Sequence, residues 1–341
     1  MTTDSENMMP SRPRLRLRPA KTILVVVLLA LFCGQATASL GDRLPEFKRC
    51  VQVCAQENCS PVSETPTEIP IHRRLLLWTC PQECDYTCQH IVTASRVAAG
   101  KRVTQFHGKW PFHRIFGVQE PFSVVFSLGN LWVHWRGLEK IKNGIPNRYT
   151  LKKFYVWFAQ IGIATWIFST VFHMRDFNLT EELDYLAAGG SVLYGMYYAP
   201  VRIFRLDVPI PRRESVLRLW TTLCICAYVV HVLYLKLVKW DYGYNMTANV
   251  VLGVLQNALW SWFSWKQYSK SQRPWTAWPG IAVAWVMMAM SLELLDFPPI
   301  WGSLDAHSLW HAGTIFPAIL WYSFLVKDAQ DDIAGANRIK S

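Results

Sequence analysis

Five residues at helix-turn spacings define the candidate chemistry: Ser169-x-x-x-His173, Asp184 and His307-x-x-x-His311. Residues four apart project from one face of a helix, so His307 and His311 present their rings together, and Ser169 stacks on His173 in the same way. All five fall on segments apolar enough to span a membrane. There, ionisable side chains are costly and face a protein interior or a water-filled cavity. Three imidazoles that leave a fourth position open describe a catalytic zinc site, which makes His173, His307 and His311 the expected ligands and Zn2+ the expected cofactor. Bound zinc can lower the pKa of its water to about 7 and polarise an ester carbonyl. Asp184 is placed to accept the water's proton or to orient a ligand histidine. Ser169 is placed to donate to an oxyanion; as a nucleophile it is less favoured, because activated water makes a covalent step unnecessary. Lone histidines such as His134 and His231 are read instead as groups reaching interfacial water. Asp176, Glu293, Asp296 and Asp305 lie near the same layer and are read as partners of Arg175 or as helix caps.

The elements that must position these groups are hydrophobic. Half of the 341 residues are apolar, 14% are aromatic, and 17 are Trp, many of them near the ends of apolar runs where amphipathic rings favour the membrane interface. After Trp110 seven hydrophobic stretches follow, at roughly 114–135, 153–174, 183–203, 216–237, 245–265, 276–296 and 305–326. Each is near the length a bilayer requires. The expected fold is all-α, a seven-transmembrane helical bundle at 111–326, with a cytosolic tail at 327–341.

Alternate loops between these stretches carry Arg136, Lys140, Lys142, Arg148, Lys152 and Lys153, then Arg202, Arg205, Arg212, Arg213 and Arg218, then Lys266, Lys270 and Arg273. The intervening loops hold Arg175, Lys236 and Lys239. Fourteen against three is a positive-inside signal, so the net charge of +11 reads as topology and not as a nucleic-acid surface. It places the C-terminus in the cytosol and His173, Asp184 and His307 at one lumenal depth.

The N-terminus has the build of a signal peptide. Arg12, Arg14, Arg16, Arg18 and Lys21 precede the apolar run 23–32 and the small-x-small site Ala36-Thr37-Ala38, which predicts cleavage after Ala38. Residues 39–110 then form a small lumenal domain with six cysteines: Cys50, Cys54, Cys59, Cys80, Cys84 and Cys88. An even number in an oxidising compartment implies disulfides, with fifteen possible pairings, and spacings of four and five suit two short helices clipped together. Cys224 and Cys226 lie in a span and are read as apolar packing. Three sequons, at Asn58, Asn178 and Asn245, fall on the lumenal side, as glycan acceptors must.

The stretches Ser169-Thr-Val-Phe-His173-Met-Arg-Asp176, Asp184-Tyr185, Leu294-Leu-Asp-Phe-Pro-Pro299 and Leu304-Asp-Ala-His-Ser-Leu-Trp-His311 resemble the signature of the CREST superfamily of membrane hydrolases. That group includes alkaline ceramidases and the adiponectin and progestin receptor-like proteins. Within it, the Cys-rich domain and the Phe-His-x-Arg-Asp stretch are similar to the post-GPI-attachment lipid-remodelling family. The resemblance implies a phospholipase A2-type step that removes the sn-2 acyl chain of GPI-anchored proteins in a Golgi or endoplasmic reticulum membrane. It carries the zinc ligands onto His173, His307 and His311, with Ser169 and Asp184 as their partners. Two other classes stay open. A seven-span receptor with a structural zinc keeps its function when Asp184 is neutralised, and a non-catalytic chaperone for GPI-anchored cargo survives loss of His307.

Overall fold

The computed structural model describes residues 39–59 and 69–340; the expected signal segment, 1–38, lies outside them. Among the described residues the chain is helical, with three isolated β-bridges and no extended strand. Four short helices come first: α1 (Leu40–Arg43), α2 (Pro45–Asn58), α3 (Ile71–Leu75) and α4 (Cys80–Ala98). Proline opens α2, where its missing N–H costs nothing, and Gln82 Oε1 accepts the Thr79 N–H to close the start of α4 (3.0 Å). Helices α2 and α4 run antiparallel and are joined by three rungs, Cys50–Cys88, Cys54–Cys84 and Cys59–Cys80, with Cα separations of 5.6–5.8 Å. The clipped helix pair expected from the cysteine spacing is therefore present, and one of its fifteen connectivities is now fixed. Phe47, Cys88, Val92 and Phe106 form the domain's small core.

Seven long helices follow: α5 (Pro121–Gly144), α6 (Lys152–Met174), α7 (Asn178–Ile203), α8 (Pro211–Leu233, continued by a π turn over Tyr234–Val238), α9 (Tyr242–Ser271), α10 (Trp278–Leu295) and α11 (Ala306–Lys340). They match the seven hydrophobic stretches in order. Helix α5 packs on α6, α6 on α7, α7 on α9, α9 on α10, α10 on α11 and α11 back on α5, so six helices close a ring. Helix α8 stands outside it against α7. Four segments are long and apolar enough to cross a bilayer: Lys152–Met174, Pro211–Val238, Pro274–Leu295 and Ala306–Gly335. Helices α5, α7 and α9 have the length but are more polar. In α5 the polar groups Ser123, Ser127, Asn130 and His134 are all buried inside the ring, which lowers its hydropathy while keeping these groups off the outer surface of the bundle.

The ring is filled by aromatic side chains, with Tyr155, Tyr198, Trp260, Tyr322 and Phe324 each at most 2% exposed. Trp321 Nε1 donates to the Tyr198 hydroxyl at 2.6 Å, which satisfies a polar atom that would otherwise be stranded. His134, expected at interfacial water, is instead 8% exposed and bonded to the Tyr322 hydroxyl at 2.7 Å. Its ring fits because position 162 is glycine; a Cβ there would lie 2.0 Å from His134 Nδ1. Asn245 is also buried (7% exposed), and its side chain accepts from Asn249; Asn178 is exposed.

Three arginine–aspartate pairs fasten the far part of α11. Arg202 makes a buried two-pronged contact with Asp328 (2.5 and 2.6 Å), Arg205 reaches Asp332 (2.8 Å), and Arg273 pairs with Asp331. Asp328 is 17 residues beyond His311, about 26 Å along the helix axis. These pairs therefore lie at the end of the bundle away from the histidines.

Candidate metal centre

His173 is the penultimate residue of α6, and His307 and His311 occupy the first turns of α11. The hydrogen bonds that start α11 set the direction of the last two: Asp305 Oδ1 accepts the Ser308 N–H (2.9 Å), and Ser308 Oγ accepts the Asp305 N–H (3.0 Å). This is a capping motif, as expected for Asp305. Farther along, Asn130 Nδ2 donates to the His311 carbonyl (2.8 Å) and Asn130 Oδ1 accepts from Thr314 (3.1 Å), which locks α5 to α11 at that turn.

The three histidines expected as ligands come together. Their ring centroids are 5.2 Å (His173–His307), 4.9 Å (His173–His311) and 4.6 Å (His307–His311) apart. One ring nitrogen from each lies within 4.8 Å of the others. His173 and His311 are buried, while His307 is partly open. Each ring is held through Nδ1 by a different neighbour: His173 by Glu120 (2.7 Å), His307 by Glu293 (2.7 Å) and His311 by Ser127 (2.9 Å). This pattern orients a metal-binding imidazole and fixes its tautomer. Nε2 of His173 is buried with no hydrogen-bond partner among the described residues, an expense that a bound cation would remove. The donor set therefore fits zinc.

Asp184, on the second turn of α7, lies close enough to His173 and His307 for their charges to act on it. Ser169 is buried one turn before His173, and its hydroxyl is 3.1 Å from that of Ser127. It thus connects to His311 through Ser127. Glu120 and Ser127 carry no spacing signal in the sequence, and Glu293, expected as a cap or an Arg175 partner, instead holds His307. Arg175 in fact stacks on Trp78 and Phe177 (3.6 and 4.3 Å), and Asp296 accepts from Gln105 and Trp110. Burial alone would raise the pKa of Glu120, but the charges of Lys109 and His173 outweigh it and hold this carboxylate well below its usual range.

Residues 70–329 match the Per1-like family. The chain is 38% identical over 316 residues to Protein PER1 homolog of Schizosaccharomyces pombe, covering 92% of this chain and 94% of that protein. It is 37% identical over 306 residues to the GPI-specific phospholipase A2-like PGAP3 of Homo sapiens (89% and 93% covered). It is also 37% identical over 312 residues to the protein of the same name in Mus musculus (91% and 95%). With a family match over most of its length, the chain belongs to the Per1-like family.

Proposed function

We propose that this protein is a membrane-embedded hydrolase that remodels GPI anchors by cleaving the sn-2 acyl ester, with zinc held by His173, His307 and His311. The observation that carries this reading is the convergence of three imidazoles, each steered through Nδ1, around the orphaned Nε2 of His173. The names of the relatives, GPI-specific phospholipase A2-like, support the substrate class. Bound zinc would supply a Lewis acid for the ester carbonyl and an acidified water. Asp184, close to His173 and His307, would serve as the proton acceptor at this centre.

The serines follow from proton direction. A histidine that ligates through Nε2 carries its proton on Nδ1, so His311 Nδ1–H donates to Ser127 Oγ. Ser127 then donates its own proton to Ser169 Oγ. The Ser169 O–H is left free for another acceptor, which suits an oxyanion donor. A site at the end of a helical ring suits a lipid ester, whose acyl chain stays among apolar side chains while the head group remains in water.

In this reading all seven long helices cross the membrane and the histidines lie at its lumenal face. Tags beside His72 or in the loops just before α7 and α9 should resist protease in sealed microsomes, and tags near Arg212 or beyond Lys340 should be cut. Digestion of the tag beside His72 in sealed vesicles would overturn the orientation. Activity is tested by lipid analysis of a GPI-anchored reporter from cells lacking this protein. The sn-2 chain should be retained, and adding the protein back should restore the lyso form; an unchanged anchor in the null cells would sink the proposal.

A further inference from the structure

The hairpin before α5 links the disulfide domain to the histidine centre. Phe106 and Lys109 exchange both backbone hydrogen bonds (2.7 and 2.9 Å) around His107 and Gly108, which have φ of 50° and 78°. Two positive-φ residues in sequence make the tight turn that matches strand twist. The start of the domain grips this turn. Asp42 accepts the His107 N–H (2.8 Å), Ser39 Oγ accepts the Gly108 N–H (2.8 Å), and Gly41 donates to the Gln105 carbonyl (3.0 Å). Position 41 must be glycine for so close an approach, since a Cβ would lie 2.5 Å from both that carbonyl oxygen and the Phe106 ring. Phe106 itself is 1% exposed and packs against Phe47, with ring centroids 4.7 Å apart.

The other end of the hairpin faces the bundle. Lys109 Nζ donates to Glu120 Oε1 (2.7 Å) and Asp176 Oδ2 (2.9 Å) and sits 4.1 Å over the Phe172 ring. Glu120 uses its other oxygen on His173 Nδ1. A continuous line therefore runs from the disulfide domain through Phe106, Lys109 and Glu120 to His173. One carboxylate is shared between the cation and the imidazole, so neither oxygen of Glu120 can swing away without breaking a short hydrogen bond.

We propose that Lys109 is a positioning residue for the histidine centre, delivered to it by the disulfide-bonded N-terminal domain and acting through Glu120 on the ring of His173. The proposal rests on the metal-centre reading above. It explains why a compact Cys-rich domain precedes a bundle that already contains all three histidines: the domain makes the hairpin rigid, and the hairpin orients a ligand.

The alternative is that Lys109 only glues loops together or adds a charge, and the sign of one measurement separates these roles. Removing a cation beside a cation-binding site tightens metal binding on charge alone. Removing the group that holds Glu120 loosens His173 and weakens it. Zinc affinity of the purified full-length protein in detergent, measured against a competing chelator, is therefore the readout. Lys109→Met should bind zinc about 10- to 100-fold more weakly, the usual cost of losing a group that orients a ligand. Lys109→Arg, which keeps the cation and its donors, should recover most of that loss.

Combined with Glu120→Gln, the Met variant should show less than the sum of the two single effects, because both act through one carboxylate. Should Lys109→Met fail to fold, Lys109→Ala, which likewise removes both the charge and the donors to Glu120, carries the same test. Affinity equal to or tighter than wild type, or strictly additive effects, would overturn the proposal. Unchanged zinc binding in His311→Ala would instead remove the metal-centre reading beneath it, so the two failures are distinguishable.

Discussion

Asp184→Asn should reach its normal compartment, keep its zinc and fail to deacylate GPI anchors, with a rate loss of about 100- to 10,000-fold. That range is the usual cost of losing a general base. The substitution preserves shape, and Asp184 is not among the groups that hold the three rings through Nδ1. Its charge acts on His173 and His307, so neutralising it alters the proton acceptor at the centre and leaves the ligands in place. Ser169→Ala should be milder. It removes one oxyanion donor, worth at most about 100- to 1,000-fold, and leaves Ser127 to hold His311. The measurement is anchor lipid composition in null cells expressing each variant at matched levels. Full rescue by Asp184→Asn would make any zinc structural and put the receptor or chaperone class ahead.

The second large effect concerns metal content. The purified protein should hold about one zinc per chain, since three histidines and a water complete a tetrahedral site. His307→Ala and His311→Ala should each lower occupancy sharply, because either leaves two ring nitrogens where three are needed. His231→Ala is the control. That residue sits on the outlying helix α8, beside Tyr244 of α9, and is not one of the three histidines grouped among the described residues. Elemental analysis of the four proteins decides the matter, and wild-type zinc in both ligand variants would show the assignment to be wrong.

What the sequence could reveal depended on whether a relation is local. His307 and His311 were legible because a four-residue spacing is itself a statement about one helix face, and the long helices were legible from apolar runs. The expected stretch 153–174 became Lys152–Met174, and 276–296 became Trp278–Leu295 after a short 3-10 turn. Glu120 and Ser127 were illegible because each serves a histidine on a different helix, 53 and 184 residues away, and no spacing rule links them. His134 was misjudged for the same reason: its partner, Tyr322, lies 188 residues on. Helix α11 outran its expected end at 326 because polar residues there are held by distant arginines, a tertiary effect that hydropathy does not contain. The disulfide rungs were open to fifteen arrangements until the antiparallel course of α2 and α4 selected one.

The arginine–aspartate pairs at the end of α11 have a consequence that depends on time. Arg202, Arg205 and Arg273 precede Asp328, Asp331 and Asp332 in the chain, so on a ribosome they emerge more than fifty residues before their counter-charges. In the proposed topology Arg202 and Arg273 are bare cations through that interval and add their full weight to the choice of which loops stay on the near side of the membrane, whereas Arg205 already has Asp207 two residues on (3.1 Å). Once the last helix arrives, these arginines gain their distant aspartates and change from address labels into fasteners. A substitution at one of the aspartates would leave the address intact and remove only the fastening. The corresponding arginine substitution would erase both.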